Sequence, residues 1–234
     1  DQAAVNVDEG ELATNSGTYH DPGDDSVTLT VSAGTIVDHG DGTWNWSLAT
    51  TDGPDDSQVI TVTATDSDGA ATSETFELVV ANVAPEVSAA LSKVEVLEGQ
   101  AAANSGTYHD PGDDSVTLTV SAGTIVDRGD GTWSWSLATS DGPDDSRLVT
   151  VTATDSDGDA TTVSFDLVVL NAPPVANADY YVFDGFGRLE VDASWGLLAN
   201  DFDPGNDPIV VDAWGAPTVG EVVERNADGS FVYV

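Results

Sequence analysis

The chain has 234 residues, of which 42 are acidic and 5 basic, and its formal net charge is −37 at pH 7. This charge predicts repulsion from nucleic acid and from anionic lipid, so we exclude both as partners. The sequence has no Cys, no Met and no apolar run of about 20 residues that could insert into a bilayer. Hydrophobic residues make up 40% of the chain and alternate with polar ones, which indicates folded β-structure despite the charge.

An internal repeat organises most of the chain. Residues 15–50 recur at 104–139 with only two substitutions, at an offset of 89 residues (104 − 15). That offset is the size of one small domain rather than of a solenoid turn. The first residue is not Met, and the β-pattern continues to both ends, so we expect a piece of a longer polypeptide. The predicted units are 1–82, 83–171 and an incomplete third unit at 172–234.

The predicted elements of the first repeat are short strands, because Val, Thr, Ile and aromatic residues alternate with polar ones between Gly-, Pro- and Asp-rich turns. The predicted strands are 4–7, 12–20, 27–33, 35–38, 43–48, 58–65 and 70–80, and the second repeat has the same set 89 residues later. Seven short strands in about 90 residues are typical of an immunoglobulin-like sandwich. The sequence therefore predicts an all-β chain of immunoglobulin-like β-sandwiches arranged end to end, the third one truncated.

Two short linkers at 82–85 and 171–174 contain Pro, which favours extended and semi-rigid connections between the units. The third unit starts near Val175 and has a different pattern. It contains the stretch GLLANDFDPGNDP at 196–208 and ends on NADGSFVYV.

The acidic loops converge on the joints between units. Alternate strands of a sandwich reverse direction, so the last strand of one domain leaves it at the end where the next domain begins. Loops from both neighbours therefore surround the first joint, with a linker Asn between them.

The loops at this joint are rich in candidate metal ligands. Ca²⁺ takes six to eight oxygen ligands in flexible geometry, and such a joint could supply them from two domains. The candidate ligands are Glu9, Asp55, Asp56, Asn82, Asp110, Asp113, Asp114, Asp155 and Asp157.

The repeat extends the same prediction to two further places. At the second joint the candidates are Glu98, Asp144, Asp145, Asn171, Asp201 and Asp203. At the upper end of the first repeat they are Asp21, Asp24, Asp25, Asp66 and Asp68, which we expect to face a further domain. For any single Asp the alternative is that Asp and Gly simply populate turns. That alternative does not explain why acids are doubled in loops on both sides of one joint.

The first joint resembles those of cadherins and of bacterial cadherin-like and PKD-like repeats. In cadherins a Glu after the first strand, acids in a bottom loop, a linker Asn and acids of the next domain bind Ca²⁺. The linker Asn-Val-Ala-Pro departs from the cadherin pattern because it lacks flanking acids. The stretch LANDFDPGNDP resembles the bacterial cadherin-like signature LANDxDPDGDP. The resemblance implies ligand roles for Asn200, Asp201, Asp203 and Asp207.

These observations predict a structural role outside the cell. We expect calcium-rigidified spacer repeats of a long bacterial surface, adhesin or fibre protein, whose partners are neighbouring repeats, copies of itself in a fibre or a surface glycan. A carbohydrate- or self-binding module and accessory repeats of a secreted enzyme remain the alternatives. Catalysis itself is not expected, because no nucleophile motif accompanies the three His residues.

The paired tryptophans allow two interpretations. Trp44 and Trp46 lie two residues apart on a predicted strand, as do Trp133 and Trp135, so each pair shares one face of its sheet. We favour packing in the sandwich core. A surface platform for stacking sugars is the alternative.

Overall fold

The computed structural model describes residues 2–23, 25–183 and 187–234. The strands of the first repeat are β1 (Ala4–Asp8), β2 (Leu12–Thr18), β3 (Thr28–Val31), β4 (Thr35–Asp38), β5 (Thr43–Ala49), β6 (Gln58–Thr65) and β7 (Ala71–Ala81). Those of the second are β8 (Glu86–Ala89), β9 (Lys93–Leu97), β10 (Ala101–His109), β11 (Thr117–Val120), β12 (Thr124–Asp127), β13 (Thr132–Ala138), β14 (Arg147–Thr154) and β15 (Ala160–Leu170). All seven strands predicted for the first repeat are present, with ends that differ by at most two residues.

Each repeat is a sandwich of two sheets. In the second repeat the sheets have the orders β8-β10-β13-β12 and β11-β14-β15-β9. In the first repeat they are β2-β5-β4 and β3-β6-β7-β1. In the second of these sheets β1 runs parallel to β7, with Val5 opposite Leu78. The other strand pairs of that sheet are antiparallel. This strand order is that of immunoglobulin-like domains, so the predicted fold class is confirmed.

Strand β8 is the one strand of the second repeat that the sequence did not predict. It pairs antiparallel with the outer edge of β10, with Val87 opposite Tyr108. The equivalent positions of the first repeat fall before residue 1. Among the described residues of the first repeat, β2 therefore forms the outer strand of its sheet.

The core of each repeat is built around a tryptophan. Trp46 packs edge-to-face on Phe76 with ring centroids 4.9 Å apart, and Trp135 packs on Phe165 at the same distance. Trp46 and Trp135 donate their indole N–H to backbone carbonyls 2.7 Å away, which satisfies the polar atom of a buried ring. The partner tryptophans of both pairs are also buried. Core packing is thus the interpretation that the structure supports.

The third unit is a smaller structure. It contains β16 (Leu189–Val191), a 3₁₀ turn at Ala193–Trp195, β17 (Val222–Arg225) and β18 (Phe231–Tyr233) in the sheet order β16-β18-β17. An isolated bridge joins Val175 to Phe202. Within the described parts of the chain, no helix is long and apolar enough to cross a membrane.

Candidate metal centres at the domain joints

A buried glutamate ties the end of the first repeat together. Glu9 follows β1 and is 2% exposed. Its Oε2 accepts a hydrogen bond of 2.8 Å from the backbone N–H of Gly53, and its Oε1 accepts one of 2.8 Å from Val83. One carboxylate therefore joins the end of β1, the loop between β5 and β6, and the linker after β7. Such charge-assisted bonds are stronger than bonds between neutral groups.

The second repeat docks its Asp110–Asp114 loop on this glutamate. The backbone N–H of Asp113 donates to the carbonyl of Thr51 across the joint at 2.6 Å. Gly10 has φ +74°, and a Cβ there would lie 2.3 Å from the carbonyl oxygen of Pro111. The two loops therefore fit only because Gly10 has no side chain.

Three carboxylates meet where this loop covers Glu9. Oxygens of Glu9, Asp110 and Asp114 lie within 4.8 Å of one another. Asp110 is 7% exposed, and its Oδ1 accepts from the N–H of Gly112 at 3.0 Å. Its Oδ2 is buried and has no hydrogen-bond partner, and the same is true of Asp114 Oδ2. Two buried carboxylate oxygens thus lack any donor beside a third carboxylate.

The linker asparagine reaches the same region. Nδ2 of Asn82 donates to a carboxylate oxygen of Asp155 at 3.1 Å and to one of Asp159 at 3.1 Å. This orientation leaves Oδ1 of Asn82 as a third buried oxygen without a partner. Asp155 is itself buried, and its Oδ1 accepts from the N–H groups of Gly158 and Asp159.

A second acidic cluster shares Asp114 with the first. Oxygens of Asp52, Asp114 and Asp157 lie within 4.8 Å of one another. Burial raises the pKa of Asp52 and of Asp157, and the charge of Asp114 raises both further. The sequence analysis named Asp114 and Asp157 as candidate ligands but omitted Asp52. Asp52 lies in the same loop as the predicted Asp55 and Asp56, three residues after the end of β5, and its neighbour Gly53 donates to Glu9.

The negative charges at the joint repel one another. Burial raises the pKa of Asp110, and the charges of Glu9, Asp114 and Asp155 add to that effect. The available donors are carboxylate and amide oxygens, which are the ligands of hard cations such as Ca²⁺. The unpartnered oxygens and the like charges both fit a cation held between the two domains.

The remaining residues predicted for this joint lie around the two clusters. Asp55 is exposed, and its charge contributes to the raised pKa of Asp52. Asp56 Oδ2 accepts from the N–H of Thr51 at 2.8 Å and from that of Asp52 at 3.2 Å, so this carboxylate holds its own loop. Asp113 is exposed, and its described contact across the joint is the backbone bond to Thr51.

The second joint repeats the central contact. Glu98 is 1% exposed and accepts from the N–H groups of Gly142 and Ala172, each at 2.7 Å. Gly99 has φ +75°, and a Cβ there would lie 2.4 Å from the carbonyl oxygen of Pro204. The Asp203–Asp207 segment of the third unit thus takes the place that Asp110–Asp114 takes at the first joint.

One acidic cluster is present at the second joint among the described residues, formed by Glu98, Asp203 and Asp207. Burial raises the pKa of Asp207, followed by the charge of Glu98. Asp203 Oδ1 accepts from the N–H of Gly205 at 2.8 Å, as Asp110 does from Gly112.

Four other residues predicted for this joint lie outside that cluster. Asp145 accepts from the N–H of Ser140 within its own loop. Asn171 donates to the carbonyl of Ala172 rather than across the joint. Asp201 accepts from the N–H of Asn177, while Asn177 Nδ2 donates to the carbonyl of Asn200. Asp144 is exposed and adds to the raised pKa of Asp207.

The upper loops of the first repeat contain a further cluster. Oxygens of Asp21, Asp25 and Asp66 lie within 4.8 Å of one another. Asp21 accepts from the N–H of Gly23 at 2.7 Å, and Asp66 accepts from that of Asp68 at 2.9 Å. These bonds are typical of Asp in turns. The predicted ligand Asp24 lies outside the described residues.

The solved structures that are similar to the chain include tandem immunoglobulin-like domains. Neither a family model nor a curated protein matches the sequence. Two titin domains in complex with telethonin are similar at 20% identity, covering 71% of this chain and 91% of that chain with a TM-score of 0.44. Three titin immunoglobulin domains are similar at 14% identity, covering 99% and 83% with a TM-score of 0.37. The N-terminal two-domain module of a Drosophila receptor protein tyrosine phosphatase is similar at 14% identity, covering 71% and 94% with a TM-score of 0.29. The fold assignment rests on the strand order.

Proposed function

We propose that the chain is a calcium-rigidified spacer of an extracellular bacterial surface, adhesin or fibre protein, in which Ca²⁺ ions bridge neighbouring domains. The observation that carries the proposal is the set of three buried, unpartnered oxygens at the first joint, on Asn82, Asp110 and Asp114. Leaving a buried polar group without a partner costs about 1–3 kcal/mol, and more when the group is charged. A cation at this position would remove that cost and the repulsion between the carboxylates.

The rigidity follows from the origin of the ligands. Glu9 and Asn82 belong to the first repeat and the linker, whereas Asp110 and Asp114 belong to the second repeat. An ion held by both sets resists rotation about the linker, because rotation would separate its ligands. The residues that would hold the ion at the second joint are Glu98, Asp203 and Asp207.

The extracellular and bacterial part of the proposal rests on the sequence. The high acidity and the absence of Cys suit a chain that folds with external calcium rather than with disulfides. The resemblance of LANDFDPGNDP to bacterial cadherin-like repeats supports the same setting. A sugar platform on the paired tryptophans has no support, since all four rings are buried.

The test uses the whole chain after removal of divalent ions with a chelator. Titration with Ca²⁺ in a calorimeter should release or absorb heat, and the melting temperature should rise with Ca²⁺ concentration because the ion binds the folded state. Solution X-ray scattering should show a longer and narrower distribution of shapes with Ca²⁺ than with chelator. No binding heat together with an unchanged melting temperature would overturn the proposal.

A single variant sharpens this test. Asp110→Asn keeps the acceptor for Gly112 but removes a buried negative charge. In chelator we expect the variant to stabilise the chain, because it removes the charge that Glu9, Asp114 and Asp155 repel. In Ca²⁺ we expect at least a tenfold weaker binding at the first joint. The matched control is Glu11→Gln, which changes an exposed acid at the same end of the domain and should alter neither quantity.

A further inference from the structure

The turn that follows β14 in the second repeat differs by one residue from the turn that follows β6 in the first. The second reads Asp-Ser-Asp-Gly-Asp and ends on Asp159, whereas the first reads Asp-Ser-Asp-Gly-Ala and ends on Ala70. The backbone closes both turns in the same way. The N–H of Asp66 bonds to the carbonyl of Ala70 at 3.0 Å, and that of Asp155 bonds to the carbonyl of Asp159 at 3.0 Å. The carboxylate of Asp159 is therefore not needed to form the turn.

This additional carboxylate contacts the linker between the two repeats. Nδ2 of Asn82 donates to an oxygen of Asp155 and to an oxygen of Asp159, each at 3.1 Å. Asp159 is exposed, and within the described parts of the chain the bond to Asn82 is the one side-chain hydrogen bond that its carboxylate makes. The side chain of Asp159 thus acts on the neighbouring domain rather than on its own turn.

The two bonds determine which way the amide of Asn82 faces. An amide nitrogen has two hydrogens to donate, and an ionised carboxylate can only accept. Turning the amide over would place Oδ1 against two negatively charged oxygens, which is unfavourable. Oδ1 is therefore held on the opposite side, where it is buried and has no hydrogen-bond partner. An amide oxygen is one of the ligands that Ca²⁺ takes.

Asn82 lies between the acids of the two repeats. The next residue, Val83, donates its N–H to Glu9 at 2.8 Å, on the side of the first repeat. On the other side is Asp155, which is close enough to Asp110 for its charge to help raise the pKa of that carboxyl group. The unpartnered amide oxygen therefore belongs to the same joint as the unpartnered oxygen of Asp110.

The second joint lacks both features among the described residues. Asn171 is the counterpart of Asn82, and its Nδ2 donates to the carbonyl of the neighbouring Ala172 instead of to a carboxylate pair. Its Oδ1 is not one of the buried oxygens without a partner. The carboxylate pair at the linker amide and the buried, unpartnered amide oxygen thus occur together at one joint and are missing together at the other.

We propose that Asp159 is a positioning residue for the cation at the first joint: together with Asp155 it holds the amide of Asn82 so that Oδ1 faces the ion, and it does not contact the ion itself. This inference deepens the proposed function and rests on it. The negative charge of Asp159 also attracts a cation, so the test has to separate charge from orientation. Asp159→Ala removes both the acceptor and the charge, whereas Asp159→Asn removes the charge and keeps an acceptor oxygen.

The test is a Ca²⁺ titration of the whole chain with assigned amide resonances, starting in chelator. The amides of Gly53 and Val83 report on the first joint, because they bond to Glu9, and those of Gly142 and Ala172 report on the second. We expect Asp159→Asn to bind Ca²⁺ at the first joint within about threefold of the original chain, since an exposed charge contributes little. Asp159→Ala should bind about fivefold more weakly than Asp159→Asn, the factor that one hydrogen bond supplies. Binding at the second joint should not change.

A second measurement needs no ion. In chelator, the side-chain Nδ2 hydrogens of Asn82 should exchange with water about threefold faster in Asp159→Ala than in the original chain, because one of their two acceptors is lost. Asp159→Asn should restore the slower exchange. Both variants are expected to fold, since the first repeat forms the same turn with Ala70.

The outcomes distinguish this inference from the proposed function. Absence of Ca²⁺-dependent shifts at Gly53 and Val83 in the original chain would overturn both. Ca²⁺ binding with equal affinity in Asp159→Ala and Asp159→Asn would overturn the inference alone, because charge would then account for the whole effect. A loss of tenfold or more in Asp159→Asn would overturn it too, because that loss would mean that Asp159 contacts the ion.

Discussion

The two joints of the chain share one contact and differ in their surroundings. Each has a buried Glu that accepts two backbone N–H groups, and each has a Gly with positive φ against a Pro carbonyl. At the first joint, Asn82 also bonds across to Asp155 and Asp159, and a second acidic cluster adjoins the first. The described residues of the second joint show neither addition.

This difference indicates separate roles for the Glu contact and for the acids around it. The Glu contact is completed by hydrogen bonds within the chain and needs no ion to satisfy its acceptors. The surrounding acids of the first joint are not satisfied within the chain, since Asp110 and Asp114 each retain an unpartnered buried oxygen. The shared contact therefore holds the units together without an ion, and under the proposed function the additional acids make the first joint the more dependent on a cation.

The largest expected effect comes from removing the shared contact. Glu9→Ala and Glu98→Ala each remove the acceptor of two backbone N–H groups, of which the one on Val83 is partly buried and the other three are buried. Because a hydrogen bond to a charged group contributes about 1.5–3 kcal/mol, we expect each variant to lose about 3 kcal/mol of unfolding free energy in chelator. Chemical denaturation followed by Trp fluorescence measures this loss.

The control for both variants is Glu11→Ala, an exposed acid that should change stability by less than about 0.5 kcal/mol. A loss below about 1 kcal/mol for either Glu variant would show that water replaces the carboxylate, and that the contact does not set the joint.

A smaller effect is expected from adding one methyl group at the interface. Gly10→Ala and Gly99→Ala place a Cβ within 2.4 Å or less of a Pro carbonyl, at a φ that L-residues rarely adopt. We expect a loss of about 1–3 kcal/mol at either joint, from backbone strain and from separation of the docked loops. Gly40→Ala is the control, because it has a similar φ but nothing within 4 Å of its Cβ. Equal losses at Gly10 and Gly40 would mean that strain alone acts and that the loops do not touch in solution.

Much of the fold was predictable because the strand signal is local. Period-2 alternation and Gly- or Asp-rich turns gave every strand of the first repeat within two residues. Strand β8 was missed because its four residues, Glu-Val-Ser-Ala, are short and follow a Pro-containing linker that we interpreted as a connection. Its existence depends on the free edge of β10, which is a tertiary property.

The direction of successive strands predicted that acids of two domains meet at one joint, and the structure places Glu9, Asp110 and Asp155 together there. Strand direction could not predict which acid of a loop points into the joint. Asp52 and Asp56 lie four residues apart, yet one joins a cluster while the other bonds to backbone N–H groups of its own loop. Which carboxylate turns inward depends on loop geometry, and composition carries no information on it.

The linker asparagines provide a matched pair with a still smaller expected effect. Asn82→Ala removes two bonds of 3.1 Å across the first joint, whereas Asn171→Ala removes a bond to the neighbouring residue. We expect the first variant to lose about 1 kcal/mol and to widen the distribution of interdomain angles, and the second to lose less than about 0.5 kcal/mol. Thermal unfolding and residual dipolar couplings of the two repeats measure these effects. Equal losses would contradict the difference between the joints.

The smallest effect is a dependence on pH in the absence of calcium. The pKa values of Asp52, Asp110 and Asp157 at the first joint are raised, with burial as the main cause, and so is that of Asp207 at the second. A raised pKa means that the folded state holds the proton more tightly than the unfolded state. Stability from such a group is fully present below the unfolded pKa and is lost as pH rises through the folded pKa.

In chelator we therefore expect the melting temperature to rise as pH falls from 7 towards the ordinary Asp range, with a larger share from the first joint. Asp41, Asp130 and Asp145 act in the opposite direction, because their pKa values are lowered by hydrogen bonds. Their contribution is lost only as pH falls below the usual value of 3.8, outside this interval.

Asp110→Asn should flatten the rise in melting temperature, since it removes the most buried of the carboxyl groups whose pKa is raised. Saturating Ca²⁺ should reverse its sign, because protons then compete with the ion for the same oxygens. A melting temperature that falls with acidification in chelator would show that the joint acids do not repel one another, and it would leave the unpartnered oxygens as the sole reason for a cation between the first two domains.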